Sequence, residues 1–90
     1  MPFEFDPDKS ASNEAKHGID FVDAQALWKD ERRLEFDART TNERRLVTVG
    51  LIDGRHWTAV FTLRNERIRL ISVRRARREE RKWYEDNNGE

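Results

Sequence analysis

Ninety residues allow one small domain, and an apolar fraction of 36% against 40% charged leaves it near the lower limit for burying a core of its own. The lack of cysteine excludes a disulfide framework and thiolate metal sites, and no apolar run is long enough to span a membrane. Formal charge sums to zero, yet it is segregated: eight acids stand against three lysines from Met1 to Glu31, and nine bases against three acids from Arg64 to Lys82. No signal-peptide pattern is visible, so the expected address is the cytoplasm. Three Trp and five Phe favour an ordered chain over a disordered one.

In chain order, PFEFD alternates briefly and reads as a short strand. Asp6 then offers an N-cap, Pro7 a first helical position and Gly18 a stop, with Lys16 and His17 as cations in the last turn. A second helix is expected in DFVDAQALWKD, capped by Asp20, with Phe21, Ala24, Leu27 and Trp28 on its apolar face. After Asp30 the period changes to two. RRLEFDA, ERRLVTVGLI and RHWTAVFTLR read as strands, the last two joined by an Asp53-Gly54 hairpin turn. RIRLISV follows a tight turn at Asn65-Glu66, and a final helix is expected from about Arg75. The pattern is α+β: N-terminal strand, two helices, antiparallel meander, C-terminal helix, with the helices expected on one face of the sheet.

Alternation in RHWTAVFTLR turns Trp57, Ala59, Phe61 and Leu63 toward a core face and His56, Thr58, Val60, Thr62 and Arg64 to the other. With tight pairing across Asn65-Glu66, Arg64 and Arg74 are expected near one open sheet face. The run SVRRARREERKWYE packs five arginines between Arg74 and Arg81. A guanidinium fork suits phosphate, so the basic third fits RNA, DNA or an acidic protein surface. The plainer reading is a solvated helix face held by ion pairs to Glu79, Glu80 or the acidic N-terminal third.

FEFDPDK with Asn13, KHGIDF from Lys16 to Phe21, Ala24, Arg64, IRLISVRRA from Ile68 to Ala76, and Arg78, Glu80, Arg81 and Tyr84 together resemble the BrnT family. These are toxins of bacterial toxin–antitoxin pairs with a RelE-like ribonuclease fold. The resemblance spans residues 1–90 almost entirely, as a single BrnT-like domain. Two departures stand out. Phe5 replaces a more usual Trp, and Arg77 stands where the family has Ser or Thr. A hydroxyl there, with Glu80 three residues on, would make a capping box. Arg77 cannot accept those amide bonds, so the last helix is expected to start elsewhere or fray, which bears on the aim of Arg78.

The resemblance implies an endoribonuclease that inhibits translation, with no cofactor and no metal. It also implies a cognate ribbon-helix-helix, DNA-binding antitoxin of the BrnA kind, in a homodimer or a heterotetramer with that antitoxin. The 2′-hydroxyl of RNA would attack the adjacent phosphorus. Protein groups must then move protons and stabilise phosphoryl charge. Arg suits the second task but not the first. The catalytic set implied is His17, Arg64, Arg74, Arg78 and Glu80, and the RNA-binding set Lys16, Arg75, Arg81 and Tyr84. Each has a structural alternative. His17 and Lys16 complement the end of a helix, Arg64 pairs with Glu66, Arg74 and Arg78 bridge to Glu79 or Glu80, and Glu80 holds Arg78 or Arg81. Trp83 and Tyr84 pack the helix. His56, after a hairpin turn and without a family match, is read as structural. Two other functions stay open: a noncatalytic nucleic-acid- or protein-binding module using the same arginines, and a toxin fold without activity.

Overall fold

The computed structural model describes residues 2–38 and 43–88. Strand β1 (Phe3–Glu4) leads into helix α1 (Pro7–His17) and a 3₁₀ helix (Asp23–Lys29). Strands β2 (Leu34–Ala38), β3 (Arg45–Ile52), β4 (Arg55–Arg64) and β5 (Arg67–Arg75) follow, and then helix α2 (Arg78–Asn88). The strands form one five-stranded sheet in the order β1-β5-β4-β3-β2. β2 to β5 pair antiparallel with their chain neighbours, while β1 joins beside β5 in parallel. The result is a small mixed α+β domain.

Local signals set α1. Asp6 Oδ1 accepts the Asp8 N–H at 2.9 Å, Pro7 opens the helix, and Gly18 ends it at φ +83° with its N–H on Glu14 O at 2.9 Å. The second helix differs from expectation: it is 3₁₀, not α. Phe21, Ala24 and Leu27 are fully buried at a strict spacing of three, which is the 3₁₀ period. Asp20 Oδ1 accepts the Asp23 N–H at 2.7 Å, but the cap position itself is Val22, which makes no side-chain cap bond. Both two-residue hairpin turns have φ > 0 at their central positions, 51° and 77° at Asp53-Gly54 and 52° and 65° at Asn65-Glu66.

The helices do not share one face, contrary to expectation. α1 and the 3₁₀ helix cover one side, where Ile19, Phe21, Ala24 and Leu27 meet Leu46, Trp57, Ala59, Phe61, Ile68, Leu70 and Val73. On the other side Tyr84 of α2 packs with Val47 and Val49, flanked by Leu34, Phe36, Val60 and Ala76. The cause lies in β3, whose sequence LVTVGLI is apolar at both parities and therefore needs cover on both faces. Leu63, assigned to the core, is 52% exposed because it stands at the turn end of the sheet. β5 carries one extra residue, Ile71, opposite the Val60/Phe61 step.

The last helix starts at Arg78, three residues later than expected. The Ala76 N–H still bonds to His56 O at 3.0 Å, so ladder bonding carries the chain past Arg75. Arg77 occupies the cap position, its carbonyl accepting the Arg81 N–H at 2.9 Å. Glu80 Oε1 accepts the Arg77 N–H at 2.8 Å, so the carboxylate half of a capping box forms without its hydroxyl half.

Candidate functional site

The β4–β5 register sets Thr58 opposite Arg74 on the face that α2 covers. Glu80, in the first turn of α2, closes down on both. Arg74 Nη1 and Nη2 donate to Glu80 Oε1 and Oε2 at 2.8 and 2.9 Å, a parallel two-pronged fork. Thr58 Oγ1–H donates to Oε1 at 2.9 Å, alongside the Arg77 amide. Glu80 is buried and Arg74 half-buried. Burial pushes the Glu80 carboxyl up, but bonds from Arg74, the Arg77 amide and Thr58 outweigh it and hold the group at about 2. The Arg74 guanidinium is raised in turn, chiefly by its bonds to Glu80. A carboxylate held so low accepts no proton near neutrality. Its chemical effect is to fix the plane of Arg74, whose Nη1 also donates to Arg75 O at 3.4 Å, so that the Nε–H and the outer Nη2–H are the donors left over.

Exposed arginines flank this pair on α2, and Arg75 lies on the other face of the sheet, opposite Trp57. Arg75 Nε donates to His56 O at 3.2 Å and its guanidinium carbon lies 5.4 Å from the Trp57 ring centre. Arg77, Arg78 and Arg81 are exposed at the start of α2. Arg77, Arg81 and Glu85 recur every four residues and so line one flank of the helix. At its end Glu85 Oε2 meets His56 Nε2 at 2.7 Å.

Tyr84, placed in the RNA-binding set with helix packing as the alternative, is buried in the core. It is 4% exposed, its O–H donates to Asp30 Oδ2 at 2.7 Å, and the His56 ring stands edge-on to it at 5.3 Å. Burial and the Asp30 carboxylate push its phenol up to about 12. Asp30 is held below its ordinary value: burial raises it, but donors from Tyr84 and the Leu51 and Arg32 amides prevail. Of the bridges expected for Glu80, the one to Arg74 forms, and Arg78 and Arg81 are left to solvent.

The remaining predicted residues lie elsewhere. Lys16 and His17 are exposed and line a hollow of about 160 Å³ with Lys9, Ser12, Asn13, Ile71 and Ser72. Ser72 is two residues before Arg74, so the hollow adjoins the arginine end of β5. Arg64 does not meet Arg74. It sits at the turn, opposite Arg67, while Arg74 pairs with Thr58 six residues back along β4, a span of about 20 Å. Among the described residues, no three His, Asp or Glu gather in a way that could hold a metal ion, and no helix is long and apolar enough to cross a membrane.

A family model described as the ribonuclease toxin BrnT of type II toxin–antitoxin systems matches residues 5–80. The chain belongs to the BrnT family. Comparison with individual curated proteins gives no match. Membership of a type II system implies an antitoxin partner for this BrnT chain. The matched span holds Lys16, His17, Arg64, Arg74, Arg75, Arg78 and Glu80. It stops short of Arg81, Tyr84 and Glu85, so the outer two-thirds of α2 is read from geometry alone. Sequence reasoning weighed His56 and read it as structural, and gave Thr58 no role. Their signal was parity: both share the face of β4 whose polar content needed a partner, and α2 supplies it.

Proposed function

We propose that this BrnT chain is an endoribonuclease toxin of RelE-like fold that cleaves RNA by attack of the 2′-hydroxyl on the adjacent phosphorus, without a metal. A small ribbon-helix-helix, DNA-binding antitoxin of the BrnA kind silences it. The observation that carries the reading is the Arg74–Glu80–Thr58 assembly. A buried carboxylate holds one guanidinium in a fixed plane, and Arg78 and Arg81 on α2 supply the net positive charge that Glu80 removes from Arg74, with Arg75 binding the RNA strand from the other face. Preorganised cations of this kind stabilise the charge that builds on a crowded phosphoryl centre. In this reading Glu80 is a positioning residue, not the base. Lys16 and His17 extend the track for the RNA strand past Ser72, and Arg64 contacts it away from the scissile bond.

The test is cleavage of single-stranded RNA by purified protein, with product ends identified by mass. Cyclic 2′,3′-phosphate and 5′-hydroxyl ends are expected, with activity unchanged in chelator and lost on a 2′-deoxy substitution at the cut. Cleavage that survives 2′-deoxy substitution, or stops in chelator, overturns the mechanism. Binding without cleavage, with or without ribosomes, makes the chain a noncatalytic binding module.

A further inference from the structure

The chemistry just described needs a proton on the leaving 5′-oxygen, and none of the arginines can give one. Within the α2-side cluster, Glu80 is held at about 2 and the buried Tyr84 at about 12. Of the side chains gathered there, the imidazole of His56 is the one built to hand on a proton, with two ring nitrogens of which one donates to Glu85 and the other is left over. We infer that His56, held by Glu85, is the general acid that protonates the leaving 5′-oxygen. The inference rests on the ribonuclease reading and assigns to it a residue outside the expected set.

The geometry is specific. An ionised carboxylate only accepts, so at the 2.7 Å contact Nε2 carries the hydrogen donated to Glu85 Oε2. That leaves Nδ1 as the nitrogen that gains and loses a proton. The ring is set by its edge contact with Tyr84 at 5.3 Å, and the carbonyl of His56 accepts from both the Ala76 N–H and Arg75 Nε. Backbone and ring are thus pinned together. His56 shares a face with Thr58 two residues on, about 7 Å along the strand, so it stands one strand step from the Arg74–Glu80 fork. Arg77 and Arg81 lead along α2 to Glu85, which sets the dyad at the end of a cationic row. The titratable groups against the His56 ring are Glu85 and Tyr84 from α2, with Asp30 behind Tyr84 and bonded to the Leu51 amide, while Arg75 reaches only the His56 carbonyl from the other face of the sheet. The His56 partner on β3, Leu51, is uncharged.

In the step itself the 2′-oxygen bonds to phosphorus and the bond from phosphorus to the 5′-oxygen breaks. The 2′-hydroxyl proton passes to water. The proton on the departing 5′-oxygen comes from the imidazolium, which is left neutral and is recharged from solvent. The products are a cyclic 2′,3′-phosphate and a 5′-hydroxyl.

The experiment uses two oligonucleotides built around a cut mapped with wild-type protein. One has the natural 5′-oxygen, and the other has a bridging 5′-sulfur that departs as thiolate without a proton. His56→Gln is expected to slow cleavage of the oxygen substrate by ~10²–10⁴-fold and to cut the sulfur substrate within a few-fold of wild type. Glu85→Gln is the second variant. Its carboxylate is 60% exposed, so its loss spares the fold, and it should show the same contrast in weaker form. Equal slowing of both substrates by both variants, or slowing of neither, overturns the assignment. If wild-type protein cuts no RNA, the ribonuclease reading fails first and takes this assignment with it.

Discussion

Asn13 on α1 satisfies both backbone groups of Val73 on β5: Nδ2 donates to its carbonyl at 2.8 Å and Oδ1 accepts its N–H at 3.1 Å. β1 pairs with β5 only at Ile68 and Arg69, so a side-chain amide takes over where the edge partner stops. The same Nδ2 also donates to Ile19 O at 2.8 Å. Asn13→Ala strands buried polar groups at both elements and should cost ~2–4 kcal/mol in denaturant unfolding. Because Val73 adjoins Arg74, cleavage should fall further than the folded fraction does. A stability loss under ~0.5 kcal/mol would show that water replaces the amide.

Glu80 should govern acid stability. Its carboxyl lies at about 2 in the folded chain against an ordinary 4.5. The group is lowered, so its stabilisation is complete above about 4.5 and drains away as the pH falls toward 2. The full contribution is of order 3 kcal/mol. Chemical denaturation between these pH values should show the decline in wild type and a flatter profile in Glu80→Gln. That variant should also be less stable at pH 7, by ~3–5 kcal/mol, because it leaves Arg74 without its counter-charge.

Much of this arrangement was legible in the residues. Asp6-Pro7, Gly18 and Asp53-Gly54 act through their own neighbours, so α1 and the first hairpin follow from local chemistry. The gap between Arg64 and Arg74 was misread: with the turn at Asn65-Glu66, the register leaves Arg64 beside the turn and Arg74 far up the next strand, opposite Thr58. The two-sided cover was missed, although β3 carries apolar residues at both parities. What resisted reading was pairing between distant residues. Nothing local links β1 to β5, or Tyr84 to Asp30 across 54 positions. The Arg74–Glu80 bridge was one of several open to that arginine run, and only the crossing of α2 over Thr58 selects it.

Tyr84 is the single tyrosine of the chain, which makes its state directly readable. Ultraviolet titration should show the phenolate appearing near 12, not near the ordinary 10. The folded value is raised, so stability holds below about 10 and falls as the pH climbs toward 12. Tyr84→Phe removes a bond to an ionised carboxylate and should cost ~1.5–3 kcal/mol. A midpoint at the ordinary value in folded protein would mean that the phenol is not held on Asp30.

Gly50 marks a close approach between β3 and the 3₁₀ helix. An added Cβ would lie 2.9 Å from Leu27 Cδ2 and 3.2 Å from both Arg33 Cβ and Asp30 Oδ2. Gly50→Ala should destabilise by ~1–3 kcal/mol through overpacking. It should also disturb Tyr84 through Asp30, visible as a shift of the phenol titration. An unchanged melting temperature would show that the helix gives way freely.

RNA affinity should depend steeply on salt if the arginines neutralise phosphates, with a log–log slope near −0.7 for each contact on a single strand. Arg81→Ala should flatten the slope by about one contact. Arg55→Ala, on the hairpin opposite that flank, serves as the comparison. Equal slopes in the two variants would place Arg81 outside the RNA path.

The order of synthesis gives the Glu80 lock a further meaning. Arg74 leaves the ribosome before the carboxylate that aligns it, and β5 must already be paired with β4 for Thr58 to complete the contact. A nascent chain with α2 still in the exit tunnel therefore carries its arginines without their aim. On the ribonuclease reading, the chain gains its activity only once the helix emerges, and premature stops before Arg78 should yield inactive fragments.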